Sequence, residues 1–182
     1  MRVITGTARG RTLKTLPGDD VRPTSEKVKE ALFSAIQFEL EGRRVLDLFG
    51  GSGQLGIEAL SRGAKKAVFI DSSSQSISVI RENLNSAKLG DRAVVIQTDA
   101  LSFVKTCVEK FDVAFVDPPY KDGLIQKVLP YLVAKMSDGG VIVCESPTDE
   151  QLQPEIPPYG IYREYKYGKT KITLYRPRSE QI

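Results

Sequence analysis

The chain has 182 residues, 41% of them hydrophobic and 27% charged, and a net charge of only +3. That balance suits one soluble globular domain able to bury a core without disulfides or metals, and the small net charge alone marks no nucleic-acid binder. There is no histidine, which excludes imidazole mechanisms such as Ser–His–Asp hydrolysis, H-E-x-x-H zinc catalysis and the kinase H-R-D loop.

In chain order, residues 1–16 place Gly6 and Gly10 between β-prone stretches and predict a small hairpin. Residues 24–40 read as a helix, with Thr24 or Ser25 as N-cap and Val28, Leu32, Ile36 and Leu40 on one face. Five short apolar runs follow, at 45–49, 67–70, 93–96, 113–116 and 141–144. Between them lie the helical stretches 54–62, 73–87, 101–108 and 124–135, the last broken or kinked at Pro130. Fully apolar runs separated by amphipathic segments predict parallel strands buried on both faces, with helices covering the sheet. Residues 161–167 and 170–175 flank Gly168-Lys169 and predict an antiparallel hairpin. The expected fold is α/β and Rossmann-like: a mostly parallel seven-stranded sheet, an antiparallel C-terminal hairpin and helices on both faces. A basic β extension over 1–23 would precede a domain over 24–182.

Cys107 and Cys144 stand in apolar contexts at no metal-ligand spacing, as expected of buried free thiols in a reducing cytosol. No apolar run approaches the ~18 residues of a membrane span, and the N-terminus has no hydrophobic signal core. A cytoplasmic protein without metal is expected.

Residues 45–56, Val-Leu-Asp-Leu-Phe-Gly-Gly-Ser-Gly-Gln-Leu-Gly, contain G-x-G-x-x-G at Gly51, Gly53 and Gly56 between a predicted strand and a predicted helix. Such glycines let backbone N–H groups approach a ligand at the carboxyl edge of a sheet. Asp71 ends the next strand, where a carboxylate can accept both hydroxyls of a ribose. A tight turn with chance glycines is the plain alternative, but strand, helix and Asp71 together favour a nucleoside cofactor. Asp47, inside the first strand, would attract the ammonium and sulfonium of S-adenosylmethionine and repel the pyrophosphate of NAD. It would equally serve as a buried cap for the loop's N–H groups, and from this residue alone the two readings stand level. Asp99 can accept the adenine amine beside the Ala100 N–H, or cap the following helix; the roles are compatible.

Asp117-Pro118-Pro119-Tyr120 follows the fourth apolar run. Two prolines stiffen the strand end and remove two N–H donors. The Asp117 carboxylate and the Pro118 carbonyl then offer adjacent acceptors for an exocyclic amine, and Tyr120 can stack on its base.

The pairing of Asp47-Leu-Phe-Gly-Gly-Ser-Gly with Asp117-Pro-Pro-Tyr resembles class I S-adenosylmethionine-dependent amino-methyltransferases. Arg22-Pro-Thr-Ser-Glu-Lys-Val-Lys-Glu-Ala-Leu-Phe and Leu55-Gly-Ile-Glu-Ala-Leu-Ser-Arg-Gly-Ala narrow the resemblance to the bacterial 16S rRNA (guanine(966)-N(2))-methyltransferase family, from Gly6 to Tyr175. Gly50 stands where that family usually has Ala or Ser, and Asp71 where Glu is common. The resemblance implies S-adenosyl-L-methionine as cofactor, held by Asp47, Phe49, Gly51, Gly53, Asp71, Ser72, Asp99 and Ala100. It implies a catalytic segment Asp117, Pro118, Pro119 and Tyr120, and methylation of a guanine N2 amine in 16S rRNA, free or in the small subunit, by a monomer.

Adenine-N6 methyltransferases also use Asp-Pro-Pro-Tyr but carry a sizeable target-recognition region. Here the 45 residues between Asp71 and Asp117 are used by sheet and helices, so a substrate recognised by shape is favoured. Residues 1–23 hold five basic and two acidic side chains, and residues 163–178 six basic and one acidic. Arg2, Arg9, Arg11, Arg22, Thr24 and Lys169, with Lys171, are the expected RNA contacts. Most of the tyrosines at 159, 162, 165, 167 and 175 are expected to fill a sheet face. The competing classes are another nucleic-acid amino-methyltransferase, a non-catalytic RNA-binding module and an NAD(P) oxidoreductase, for which Asp117-Pro-Pro-Tyr has no role.

Overall fold

The computed structural model describes residues 1–17, 25–119 and 123–180. In chain order it contains α1 (Glu26–Ala35), β1 (Arg44–Asp47), α2 (Gln54–Ser61), β2 (Lys66–Asp71), α3 (Ser74–Ala87), β3 (Ala93–Gln97) and α4 (Ala100–Thr106). Then follow β4 (Phe111–Val116), α5 (Leu124–Leu132), β5 (Met136–Pro147), β6 (Glu155–Ile156), β7 (Tyr159–Tyr167) and β8 (Thr170–Pro177). One eight-stranded sheet has the order β3-β2-β1-β4-β5-β8-β7-β6. β1 to β5 are mutually parallel, and β8, β7 and β6 add antiparallel. The seven expected strands are present; the eighth, β6, is a two-residue addition at the edge.

Strand alternation divides the core between the two faces. Val45, Ala67, Phe69, Val113, Phe115, Val143 and Leu174 face α1, α2 and α3. Leu46, Val68, Ile70, Ala114, Val116, Cys144 and Tyr175 face α4 and α5. Burying each large apolar side chain stabilises the fold by about 1.5–3 kcal/mol, so both helical layers are held chiefly by this contact. Ser25 caps α1, its Oγ accepting the Val28 N–H at 3.2 Å. Ser73 caps α3 through the Ser76 N–H at 3.3 Å.

Some expectations change. The first helix ends at Ala35, and a 3-10 turn at Gln37–Glu39 takes up the rest of its predicted length. Helix α5 runs through Pro130 and gives way to a 3-10 turn at Val133–Lys135. β3, the edge strand among the described residues, is not buried on both faces: Ala93 and Val95 pack against the α1–α3 core, while Val94 and Ile96 on the other face remain 39% and 37% exposed. Cys144 is buried, but Cys107, the C-cap of α4, is only half-buried, packed against the α4–α5 core. Tyr159 and Tyr175 are core residues, Tyr165 and Tyr167 pack against the core, and Tyr162 is exposed.

The N-terminal residues form a narrow loop closed on itself, with the Val3 N–H donating to the Arg11 carbonyl and the Leu13 N–H to that of Met1. Val3, Ala8 and Leu13 join the α1–α3 core. Glu58 on α2, fully buried, fixes the loop by accepting the Ile4 and Thr5 N–H groups at 2.8 and 3.1 Å. Lys29 on α1, also fully buried, lies 3.3 Å from Glu58 and donates to the Arg2 carbonyl at 2.9 Å. Burial lowers the Lys29 pKa, against the opposing pull of Glu58. A buried charge pair persists only where its hydrogen bonds are met, and here they are.

Candidate functional site

The parallel strands end in register at one edge, Asp47 beside Phe69 and Asp71 beside Gln97. The glycine loop turns there between β1 and α2. Gly51 has φ +58° and Gly53 φ +82°, the left-handed region that favours glycine. A β-carbon at Gly51 would meet no heavy atom within 4 Å, so this backbone faces open space. A β-carbon at Gly56 would stand 2.3 Å from the Phe69 ring, which is why helix and strand can pack so closely. At Gly50 it would stand 2.8 Å from the Ile80 Cδ1, so the bulk of Ile80 matches the glycine found here.

The carboxylates organise this loop. Asp47 is buried, and its Oδ2 accepts the Gly56 N–H at 3.0 Å. Burial pushes its pKa up to about 7; the Gly56 N–H opposes the shift and the nearby Asp71 charge adds to it. The capping role foreseen for Asp47 is therefore present. Asp71 accepts the Gly51 N–H through Oδ2 and the Ser73 N–H through Oδ1, both at 2.9 Å. It ties the end of β2 to the glycine loop and to the start of α3. Phe49 is half-buried and Ser72 exposed at the same edge. Asp99 caps α4, accepting from the Ser102 N–H at 3.0 Å and its hydroxyl at 3.2 Å, with Ala100 buried next to it.

Asp117 is half-buried, Pro118 buried and Pro119 exposed, immediately after β4. Pro118 and Pro119 form one wall of a cleft of about 420 Å³. The start of α5 (Gly123 to Gln126), Glu145 and Pro147 of β5, and the loop from Asp149 to Gln151 complete it. The edge thus brings together a glycine loop, two strands ending in aspartate (β1 and β2), Asp99 just beyond β3, and an Asp-Pro-Pro segment. Tyr120 lies outside the described residues.

The basic candidates divide. Arg2, Arg9 and Arg11 are exposed on the N-terminal loop, Arg2 in a surface pair with Glu26 at 3.3 Å. Lys169 is exposed in the β7–β8 turn at the carboxyl edge of the parallel strands, where its carbonyl accepts the Thr148 N–H. Lys171 is not available to phosphates: it is 5% exposed, donates to the Glu150 carbonyl at 2.7 Å and lies 3.5 Å from Glu164. Its place on β8, opposite Ser146, turns it into the core. Arg22 and Thr24 lie outside the described residues.

Three groups escaped the sequence reading: the Lys29–Glu58 pair, Asn83 and Glu145. Asn83 on α3 is buried and accepts the Lys14 N–H at 2.8 Å. Its Nδ2 donates to the Lys14 carbonyl at 3.0 Å and to the Ser52 carbonyl at 2.8 Å. It thus joins the N-terminal loop to the glycine loop. The available signal was each polar side chain lying on an apolar face.

The family described as conserved hypothetical protein 95 matches residues 1–176. The ribosomal RNA small subunit methyltransferase D of Escherichia coli (strain K12) is 32% identical, over 99% of this chain and 91% of that protein. The protein of the same name from Haemophilus influenzae is 35% identical, over 84% of this chain and 81% of that protein. A solved structure of yhhF from Escherichia coli, provisionally named a methyltransferase, superposes with a TM-score of 0.87 at 32% identity, covering 97% of each chain.

Proposed function

The chain belongs to the conserved hypothetical protein 95 family, and we propose that it transfers a methyl group from S-adenosylmethionine to the exocyclic N2 amine of a guanine in 16S rRNA, guanine 966 by the resemblance. The observation that carries this reading is the convergence of the glycine loop, Asp47, Asp71 and Asp117-Pro118-Pro119 on one sheet edge beside an open cleft. In this reading residues 1–23 are a basic extension of a methyltransferase domain over 24–182. A monomer acts in the cytoplasm, on rRNA that is free or within the small subunit.

The residues suit the cofactor. Open space over Gly51 accommodates it, and a carboxylate at Asp47 favours a cation. Asp47, Phe49, Gly51, Gly53, Asp71, Ser72, Asp99 and Ala100 are the residues assigned to hold it. When bound, it supplies an electrophilic methyl group on a sulfonium.

The remaining work falls to the Asp-Pro-Pro-Tyr segment. The target base leaves its stack to reach the edge. Asp117 and the Pro118 carbonyl accept the two amine N–H groups, which localises the nitrogen lone pair, and Tyr120 stacks on the base. Asp117 or water takes the excess proton. Positioning and electrostatics supply the acceleration, with no imidazole required.

Asp117→Ala tests this. Transfer of labelled methyl to 16S rRNA is expected to disappear, while calorimetric cofactor affinity stays within about threefold, under ~1 kcal/mol. Wild-type-like turnover in the variant rules the scheme out. Assays on naked rRNA and on whole small subunits, followed by mapping of the modified base, identify the substrate form.

A further inference from the structure

Gln54, the first residue of α2, is 7% exposed, and its Oε1 meets no hydrogen-bond donor among the described residues. A buried amide oxygen left unmet costs free energy, so the position calls for a partner. Gln54, Glu58 and Ser61 follow at i, i+4 and i+7 along one face of α2. Glu58 and Ser61 accept the Ile4, Thr5 and Ala8 N–H groups of the N-terminal loop. Gln54 continues this polar stripe to the carboxyl edge of the sheet, beyond the reach of that loop's contacts.

Two helices begin here side by side. Lys29 of α1 lies 3.3 Å from Glu58, and the Arg62 guanidinium stands 4.8 Å from the Phe33 ring centre. Both contacts advance by one turn on each helix, so α1 and α2 run parallel and in step. One turn earlier, the same register sets Ser25, the N-cap of α1, alongside Gln54. Part of each first turn is already engaged. Ser25 accepts the Val28 and Lys29 N–H groups, Asp47 that of Gly56, and the Gly53 carbonyl that of Ile57. The N–H groups of Glu26, Lys27, Gln54 and Leu55 have no partner among the described residues, at two adjacent positive helix ends. Helical side chains lean towards their own N-terminus, so the Gln54 amide leans towards these ends. An anion suits the N–H groups, and a proton donor suits Oε1.

We propose that Gln54 grips the amino-acid end of S-adenosylmethionine, its Oε1 accepting from the α-ammonium while the helix N–H groups face the α-carboxylate. An α-amino acid carries anion and donor cation on one carbon. A phosphodiester has no proton to give Oε1. Asp47, bonded to the same first turn of α2, adds the negative charge that a cation needs there. Gln54 thus distinguishes the amino-acid chain, while Asp71 at the other end of the glycine loop is left to the ribose. This inference rests on the cofactor reading above and adds a residue to it.

Calorimetry on the full chain tests this with two probes. S-adenosylhomocysteine carries the amino-acid chain; 5′-methylthioadenosine keeps the adenosine and sulfur without it. The wild type is expected to bind S-adenosylhomocysteine about tenfold or more tighter. Gln54→Met fills the same space without an amide. It is expected to weaken S-adenosylhomocysteine about tenfold, the scale of one hydrogen bond to a charged group, and to leave 5′-methylthioadenosine within about threefold. Its melting temperature without cofactor is expected to hold or rise, because no unmet oxygen remains to be buried. Equal weakening of both probes, or of neither, overturns the proposal. A variant that melts lower or fails to fold also overturns it, since Gln54 would then serve the fold. Loss of rRNA affinity with S-adenosylhomocysteine affinity intact assigns the helix ends to a phosphate and overturns it too. A wild type that binds the two probes equally overturns it without any variant. A wild type that binds neither probe overturns the cofactor reading instead, so the two failures are distinguishable.

Discussion

A carboxylate at the end of β1 sits under opposing influences. Burial and the Asp71 charge raise the Asp47 pKa to about 7, while the Gly56 N–H stabilises the ionised form. In the unfolded chain the same group titrates near 3.9. The folded state therefore binds the proton more tightly. The Asp47 contribution to stability is full below about pH 4, is lost as pH rises from about 4 to about 7, and is flat above, with a slope of at most ~1.4 kcal/mol per pH unit. Asp47→Asn keeps an oxygen for Gly56 but cannot ionise. Urea unfolding at a series of pH values is expected to lose that slope in the variant, and an unchanged slope would contradict the assignment. A cationic cofactor draws the ionised form, so wild-type affinity for S-adenosylmethionine should rise towards pH 7 with release of a proton. Calorimetry in buffers of different ionisation enthalpy measures that release. Residue identity announced Asp47 but left its two roles level; its 1% exposure and the Gly56 contact establish the capping role and leave the cofactor role to this titration.

At the scale of elements, α2 and α3 cover the sheet and also hold the N-terminal loop. Glu58 and Lys29 grip one end of that loop, and Asn83 grips Lys14 and Ser52 together. Asn83→Ala leaves the Lys14 N–H and two carbonyls without their side-chain partner, at a cost of about 1–3 kcal/mol per unmet buried group. Because Ser52 lies within the glycine loop, cofactor affinity is expected to weaken by about tenfold, or ~1.4 kcal/mol. Calorimetric titration checks this, and an affinity equal to wild type would show that the contact matters only to folding. The elements themselves were legible, since apolar runs and helical spacing mark strands and helices directly. What was not legible depends on neighbours. The exposure of β3 follows from its place at the sheet edge, and the two residues of β6 are too short for any periodicity to register. Lys29 and Glu58 each look out of place on an apolar face until the packing of α1 on α2 brings them within 3.3 Å.

At the scale of the whole molecule, the near-zero net charge conceals basic stretches at both ends, and the fold treats the two differently. Arg9 and Arg11 stay exposed on a loop anchored to α2, and Lys169 stays exposed at the carboxyl edge of the parallel strands. Lys171, two residues on, is drawn into the core with Glu164 and the Glu150 carbonyl as partners. Composition could not separate Lys169 from Lys171, because Lys169 lies in the turn before β8 while Lys171 lies within β8, paired on both sides by β5 and β7. RNA affinity separates them. Each phosphate contact removed should lower the slope of log affinity against log salt by about 0.7–0.9. Arg9→Gln, Arg11→Gln and Lys169→Gln are each expected to reduce the slope by that amount with little change in melting temperature, since exposed substitutions cost within about 0.5 kcal/mol. Lys171→Met is expected to do the opposite. The slope holds while the melting temperature falls, because the buried end of β8 loses its link to the 147–151 loop. A slope reduced by Lys171→Met and untouched by Lys169→Gln would reverse the assignment of the RNA-facing surface.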